Sequence, residues 1–246
     1  MHRDELLSFL DDYFQVASFQ DYAPNGLQVE GKPNIQRIMC AVTASLAAIN
    51  AAIDAQADAL LVHHGMFWKN EMPQITGWKK QRIQKLLQHD INLIAYHLPL
   101  DAHKELGNNA QWADKMDWIL DSSDNSLLCF GHIRQPETLE DLTQKLTRVL
   151  QRMPTVIGQP EKNIEKIAWC SGAGQSFFQT AAEQCVDAFI TGEASEAQYH
   201  LAHETQTVFI AAGHHATERF GIQALADFIQ QKWNIETRFF DEANPF

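Results

Sequence analysis

The 246-residue chain lacks any uninterrupted apolar stretch near the ~18 to 20 residues needed to cross lipid. Its start, Met1-His2-Arg3-Asp4-Glu5, leads into an amphipathic segment rather than a secretory core, so a soluble cytoplasmic protein is expected. Cysteine is sparse: Cys40, Cys129, Cys170 and Cys185 form no CxxC pair and no dense disulfide framework, and they read as free thiols in a reducing compartment. Basic residues are also few. Nineteen Lys and Arg against thirty-one Asp and Glu leave a formal charge of -12, which opposes non-specific attraction to nucleic acid or anionic membrane. A small-molecule partner with a local basic pocket stays open. The chain has neither a GxGxxG fingerprint nor a P-loop; Ser171-Gly172-Ala173-Gly174 follows a strand-like run, but its spacing is that of a tight turn, with phosphate contact as the alternative.

What is present is an α/β grammar. Apolar spacing predicts a helix over 4–13, a turn-rich connection over 21–26, then strand 37–42, helix 46–56 and strand 59–62, an opening that implies parallel pairing. Helix 78–89, strand 92–96 and helix 109–116 follow, and the polar run 121–126 marks a boundary between an N-terminal lobe, 1–125, and a C-terminal lobe, 126–246. The second half places strands at 166–170, 188–191, 207–211 and 236–240 and helices at 177–185, 195–203 and 217–232. Ala57-Asp58-Ala59-Leu60 before His63 echoes Val186-Asp187-Ala188-Phe189 before Glu193, as an internal repeat would.

The strand ends carry the chemistry. His63 and His64 follow one strand, His97 and Asp101 another, Glu193 a third, and His214 and Glu218 a fourth. Ligand crevices of parallel sheets lie beyond such ends, and imidazole with carboxylate suits divalent transition ions. A turn at Gly65 is expected to aim His63 and His64 at two adjacent ions; His214 and Glu218, four apart, would share a helix face, with His215 directed elsewhere. Asp101 could bridge or cap an ion, while His97 could be a ligand, a general base or a donor to a ligand. Ser195 reads as a helix cap rather than a nucleophile. Lys79, Lys80, Arg82 and Lys85 read as a solvated helix face or a phosphate-steering rim, and Phe67 and Trp68 as core packing or a purine-stacking wall.

Asp21-Tyr22-Ala23-Pro24-Asn25-Gly26-Leu27-Gln28-Val29, Val62-His63-His64-Gly65, His97-Leu98-Pro99-Leu100-Asp101 and Gly213-His214-His215-Ala216-Thr217-Glu218 together resemble the YbgI-like family, also known as type 2 GTP cyclohydrolase I homologues or Ngg-interacting factor three-like proteins. The resemblance runs over nearly the whole chain and implies two interlinked α/β lobes with a dinuclear metal site in the cleft between them, in dimers that build a hexameric ring. It implies metal ligands at His63, His64, Asp101, His214 and Glu218, with His97 nearby; the chemistry of imidazole, not the resemblance, makes His97 the candidate catalytic proton carrier. Many relatives insert a further domain between the halves, and this chain resembles the minimal form. The implied activity is hydrolysis of a nucleotide-like substrate, linked in some bacterial members to damaged nucleotides or DNA-damage tolerance. Two divalent ions are expected, iron or zinc foremost and manganese as an alternative. A non-catalytic metal-binding scaffold or metal-handling protein would use the same ligands, and a DNA-binding ring would need a basic lining to overcome the net charge.

Overall fold

The computed structural model describes residues 1–121 and 126–246. In chain order the elements are α1 (Arg3–Tyr13), β1 (Gly26–Val29), β2 (Arg37–Thr43), α2 (Leu46–Asp54), β3 (Ala59–His64), α3 (Gly77–Gln88), β4 (Asn92–Ala95), α4 (Leu98–Ala102) and α5 (Asn108–Met116). Then come β5 (Trp118–Leu120), β6 (Cys129–Thr138), α6 (Leu139–Leu150), β7 (Thr155–Ile157), β8 (Asn163–Cys170), α7 (Phe178–Glu183), β9 (Ala188–Thr191), α8 (Glu196–Thr205), β10 (Val208–Ala211), α9 (His214–Thr217), α10 (Arg219–Trp233) and β11 (Glu236–Phe239).

By contacts the chain falls into two compact units, Met1–Leu100 with Gly221–Ala243, and Asp101–Phe220 with Asn244–Phe246. The boundary expected at 125/126 adjoins residues 122–125, which lie outside the described residues.

In the first unit the sheet order is β1-β4-β3-β2-β11. Strands β4, β3, β2 and β11 run parallel, and β1 pairs antiparallel with β4. The β3 and β4 runs are almost wholly buried, as parallel strands covered on both faces must be. Ser45 starts α2 by accepting a hydrogen bond from Ala48 N at 3.0 Å, and the helix buries Ala48, Ile49 and Ala52 against the sheet.

In the second unit the order is β5-β6-β8-β9-β10-β7. Its parallel centre is β8, β9 and β10, with β7 antiparallel beyond β10 and β6 and β5 antiparallel beyond β8. Helix α6 opens on Thr138, whose hydroxyl accepts from Asp141 N at 3.1 Å, and its buried stripe is Leu139, Leu142, Leu146 and Leu150. Trp112, Trp118 and Trp169 fill the core with them. The run α1-β1-β2-α2-β3-α3-β4 is thus repeated as α6-β7-β8-α7-β9-α8-β10, with the same strand pairing.

Candidate metal centre

Strand β3 continues through both histidines rather than ending at Val62: His64 is paired with Thr43, and its carbonyl accepts Ala44 N at 2.9 Å. The two histidines therefore lie within the strand rather than in a turn past it, and Gly65 directly follows its end. Gly65 has no left-handed φ; it is needed for space, since a Cβ there would lie 2.2 Å from Gln28 Oε1. The His63 and His64 rings are 4.5 Å apart, centroid to centroid, and His97 lies 5.1 and 5.6 Å from them. Each of the three can offer a ring nitrogen within 4.8 Å of the others.

Two of these rings have their tautomer set by an acceptor. His63 Nδ1 is 3.0 Å from the Tyr96 carbonyl, which can only accept, so Nδ1 carries the proton and Nε2 the lone pair. His97 Nδ1 is 2.7 Å from Asp21 Oδ1. Burial raises the Asp21 pKa, but hydrogen bonds from His97, Asn25 and Leu98 N and the charge of His97 outweigh it and hold the carboxyl down to about 2. Asn25 Oδ1 takes His97 N at 2.7 Å, and Gln28 spans Pro24 O and Met66 N at 2.8 Å each. Trp68, half-buried, meets His97 edge-on at 5.0 Å and lies 5.8 Å from His64.

In the second unit the short helix α9 starts at His214, earlier than expected, and Gly213 reaches it with φ +104. His214 Nδ1 is 2.6 Å from Glu193 Oε1, and Nε2 is 3.1 Å from Glu218 Oε2. Burial disfavours the imidazolium, but Glu218 and Glu193 outweigh it by hydrogen bonds and charge, raising the His214 pKa to about 9. Asp101 and Glu218 are buried. Asp101 Oδ1 accepts from Asn108 Nδ2 at 2.8 Å and Ser171 Oγ at 3.1 Å.

In the 171–174 segment three of the four amides are already used: Ser171 N bonds to Asn109 Oδ1, Gly172 N to Thr217 Oγ1 and Gly174 N to Thr191 Oγ1. Gly172 has φ +63, and a Cβ on it would lie 2.1 Å from Glu218 Oε1. Its role is to admit the carboxylate rather than to cradle a phosphate. Among the basic cluster, Lys79 is buried on Glu71 at 3.2 Å and lies over the Phe67 ring, while Arg82 covers Trp78. Neither is the plain solvated face that composition suggests. Ser195 is the cap of α8, in a capping box with Gln198.

Each unit thus gathers its own set: three imidazoles in the first; His214, Glu218 and Glu193, with Asp101 held by Asn108 and Ser171, in the second. Ionised carboxylates, and imidazoles whose Nδ1–H is anchored as at His63 and His214, fit a divalent transition ion once Nε2 is free of a proton. Asp21, Asn25, Gln28, Asn108 and Ser171 are the contributors that residue spacing does not single out. Asp21, Asn25 and Gln28 fall in the 21–29 motif that carries the family resemblance and Ser171 in the glycine-rich turn, with no role set by either, and Asn108 opens a helix.

A two-unit α/β protein with histidine and carboxylate clusters at its strand ends is the class these observations define. The model for Duf34/NIF3 (NGG1p interacting factor 3) matches residues 1–245, and the chain belongs to that family. It is 55% identical over 245 residues, 99% of this chain and 98% of the other, to a GTP cyclohydrolase 1 type 2 homolog of Neisseria meningitidis serogroup A. It is 48% identical to one of Yersinia pestis over the whole of both chains. Among solved structures, protein ybgI aligns with TM-score 0.95 and 44% identity, and TTHA1606 from Thermus thermophilus with 0.90 and 34%, each covering 100% of both chains.

Proposed function

We propose that the chain is a metal-dependent hydrolase of a nucleotide-like substrate, GTP cyclohydrolase type 2-like, in which His63, His64, Asp101, His214 and Glu218 hold two divalent ions. The observation that supports this most is the anchoring of His63 Nδ1 by Tyr96 O and of His214 Nδ1 by Glu193, which leaves Nε2 to face an ion in both, that of His214 once it yields the proton it shares with Glu218. Two bound ions, iron or zinc with manganese as an alternative, would supply an acidified water and polarise the attacked bond.

The chain's own residues have distinct tasks. Glu193 and the Tyr96 carbonyl orient imidazoles, Asn108 and Ser171 fix the Asp101 carboxylate through one of its oxygens, and His97 moves the proton through Nε2. Trp68, against His97, supplies an aromatic face suited to a purine ring. The proposal extends, by family resemblance, to a cytoplasmic hexameric ring of 27.9 kDa chains and to the handling of damaged nucleotides.

The test is turnover of purine nucleotides, ring-modified nucleotides and phosphoesters by iron- or zinc-reconstituted protein beside Asp101→Ala and His214→Ala, with elemental analysis of each. Turnover in the parent, a loss of ~10²-fold or more in both variants and reduced metal content are expected. Equal turnover in all three refutes the assignment. Full metal content without turnover across the panel favours a metal-handling scaffold instead.

A further inference from the structure

We infer that Asp21 is the positioning residue of His97: its carboxylate locks the ring as the Nδ1–H tautomer, so that Nε2 alone exchanges protons with a reactant. The inference deepens the proposed role of His97 and rests on it.

Five donors converge on this one side chain. Oδ1 accepts from Tyr22 N at 2.6 Å, Ala23 N at 3.4 Å and His97 Nδ1 at 2.7 Å, and Oδ2 accepts from Asn25 Nδ2 at 3.0 Å and Leu98 N at 2.9 Å. Four of the five are N–H groups that cannot accept. Four such donors stabilise the ionised carboxylate over the acid, whose proton only His97 Nδ1 could take, and an ionised carboxylate can only accept. The proton in the 2.7 Å contact therefore belongs to His97 Nδ1. The ring is also fixed in place: Asn25 Oδ1 takes His97 N at 2.7 Å while Asn25 Nδ2 braces Asp21, and Trp68 stands perpendicular to the ring at 5.0 Å. Asp21 has only 4% of its side chain exposed, so water does not compete for the contact.

Orientation matters because the opposite tautomer would place a proton on Nε2 and leave it unable to accept. In the working form, the water oxygen bonds to the attacked atom of the substrate as its O–H bond breaks and an Nε2–H bond forms. The resulting imidazolium faces the Asp21 charge, Asp21 itself stays ionised, and the same proton passes from Nε2 to the leaving group as the bond between that group and the attacked atom breaks.

The test uses metal-loaded protein carrying ¹⁵N-histidine, with solid-state ¹⁵N spectra in which His97→Gln identifies the His97 signals. The expected result is a protonated Nδ1 and an unprotonated Nε2 in the parent, and a population of the Nε2–H tautomer in Asp21→Ala with metal content retained. On a substrate found by the panel, kcat should fall ~10²- to 10⁴-fold with KM little changed. A purely structural Asp21 would lower the melting temperature and leave the tautomer alone, which overturns the inference; so would an Nε2–H ring in the parent. Should Asp21→Ala fail to fold, the parent spectrum still decides between the two tautomers. A panel without any substrate would count against the hydrolase proposal while leaving the tautomer result standing, and a shifted tautomer with unchanged kcat would remove His97 from proton transfer.

Discussion

The two units pair their central strands in the same register and put different chemistry at matching places. Val62 lies beside Ala95 in the first, and Thr191 beside Ala211 in the second; Tyr96 N bonds to Val62 O at 3.0 Å, as Ala212 N does to Thr191 O at 2.7 Å. One and two residues further on, His63 corresponds to Gly192 and His64 to Glu193, while His97 corresponds to Gly213. The first unit therefore displays His63 and His64 from β3 and His97 two residues past β4. The second leaves those positions to glycines and a carboxylate and brings its imidazole in on α9. At the opposite ends of the strands the units agree: Asp58 accepts Gln36 N and Arg37 N, and Asp187 accepts Glu165 N and Lys166 N. Residues whose side chains satisfy the backbone recur in both units, whereas the side chains at and just past the carboxyl ends differ, because the sheet's hydrogen bonds do not depend on them.

The largest expected effect tests whether the repeated helices carry equal weight. Leu10 on α1 and Leu146 on α6 are both fully buried, so Leu10→Ala and Leu146→Ala should each cost ~2 to 5 kcal/mol in urea unfolding. A difference between them of more than about 2 kcal/mol would show that one unit collapses around the lost volume and the other does not.

A second substitution separates the units chemically. The register sets Gly172 against Thr43, a position where the first unit accepts a side chain. Gly172→Ala forces a left-handed φ of +63 on alanine and drives a methyl group into Glu218 Oε1. It should destabilise by ~1 to 3 kcal/mol and also reduce metal content by elemental analysis. Loss of stability with full metal content would mean that Glu218 moves without consequence and is not a ligand.

Much of this was legible in the sequence, for local reasons. The strands β2, β3, β9 and β10 are short apolar runs between turn signals, and the donor histidines stand at their ends. Helix α6 was equally open to reading, with Leu139, Leu142, Leu146 and Leu150 behind a Thr138 cap, yet 127–165 carries no assigned element in the sequence analysis. Strand β6 is harder: of its ten residues only Gly131 and Ile133 are buried, and its register breaks between His132 and Glu137, so the apolar alternation is too short to read. That β11 joins β2 in the first unit's sheet is a pairing across some 200 positions, which no local pattern records. The same holds in the site. Asp21 meets His97 76 residues away, and Ser171 meets Asp101 70 away. Composition showed which residues could bind a metal, but not which would orient them.

The smallest effect is the most direct measure of how alike the units are. Asp58 is buried and is bonded also to Lys32 at 3.0 Å, whereas Asp187 is half-buried and the residues whose amides it holds, Glu165 and Lys166, are exposed. Asp58→Ala should therefore cost about 2 kcal/mol and Asp187→Ala about 1, since water reaches the orphaned amides of the second more easily. The first of these penalties should also depend on pH. Burial pushes the Asp58 pKa up, but the Gln36 and Arg37 amides and Lys32 outweigh it and leave the folded value below the unfolded one. A depressed carboxylate stabilises the fold fully above its unfolded pKa of about 4, and that contribution is lost as pH falls through the folded value. The gap in unfolding free energy between the parent and Asp58→Ala should accordingly be wider at pH 7 than at pH 3. A gap that stays constant, or widens in acid, would mean that Asp58 acts by filling space rather than by charge, and the match with Asp187 would then be one of shape alone.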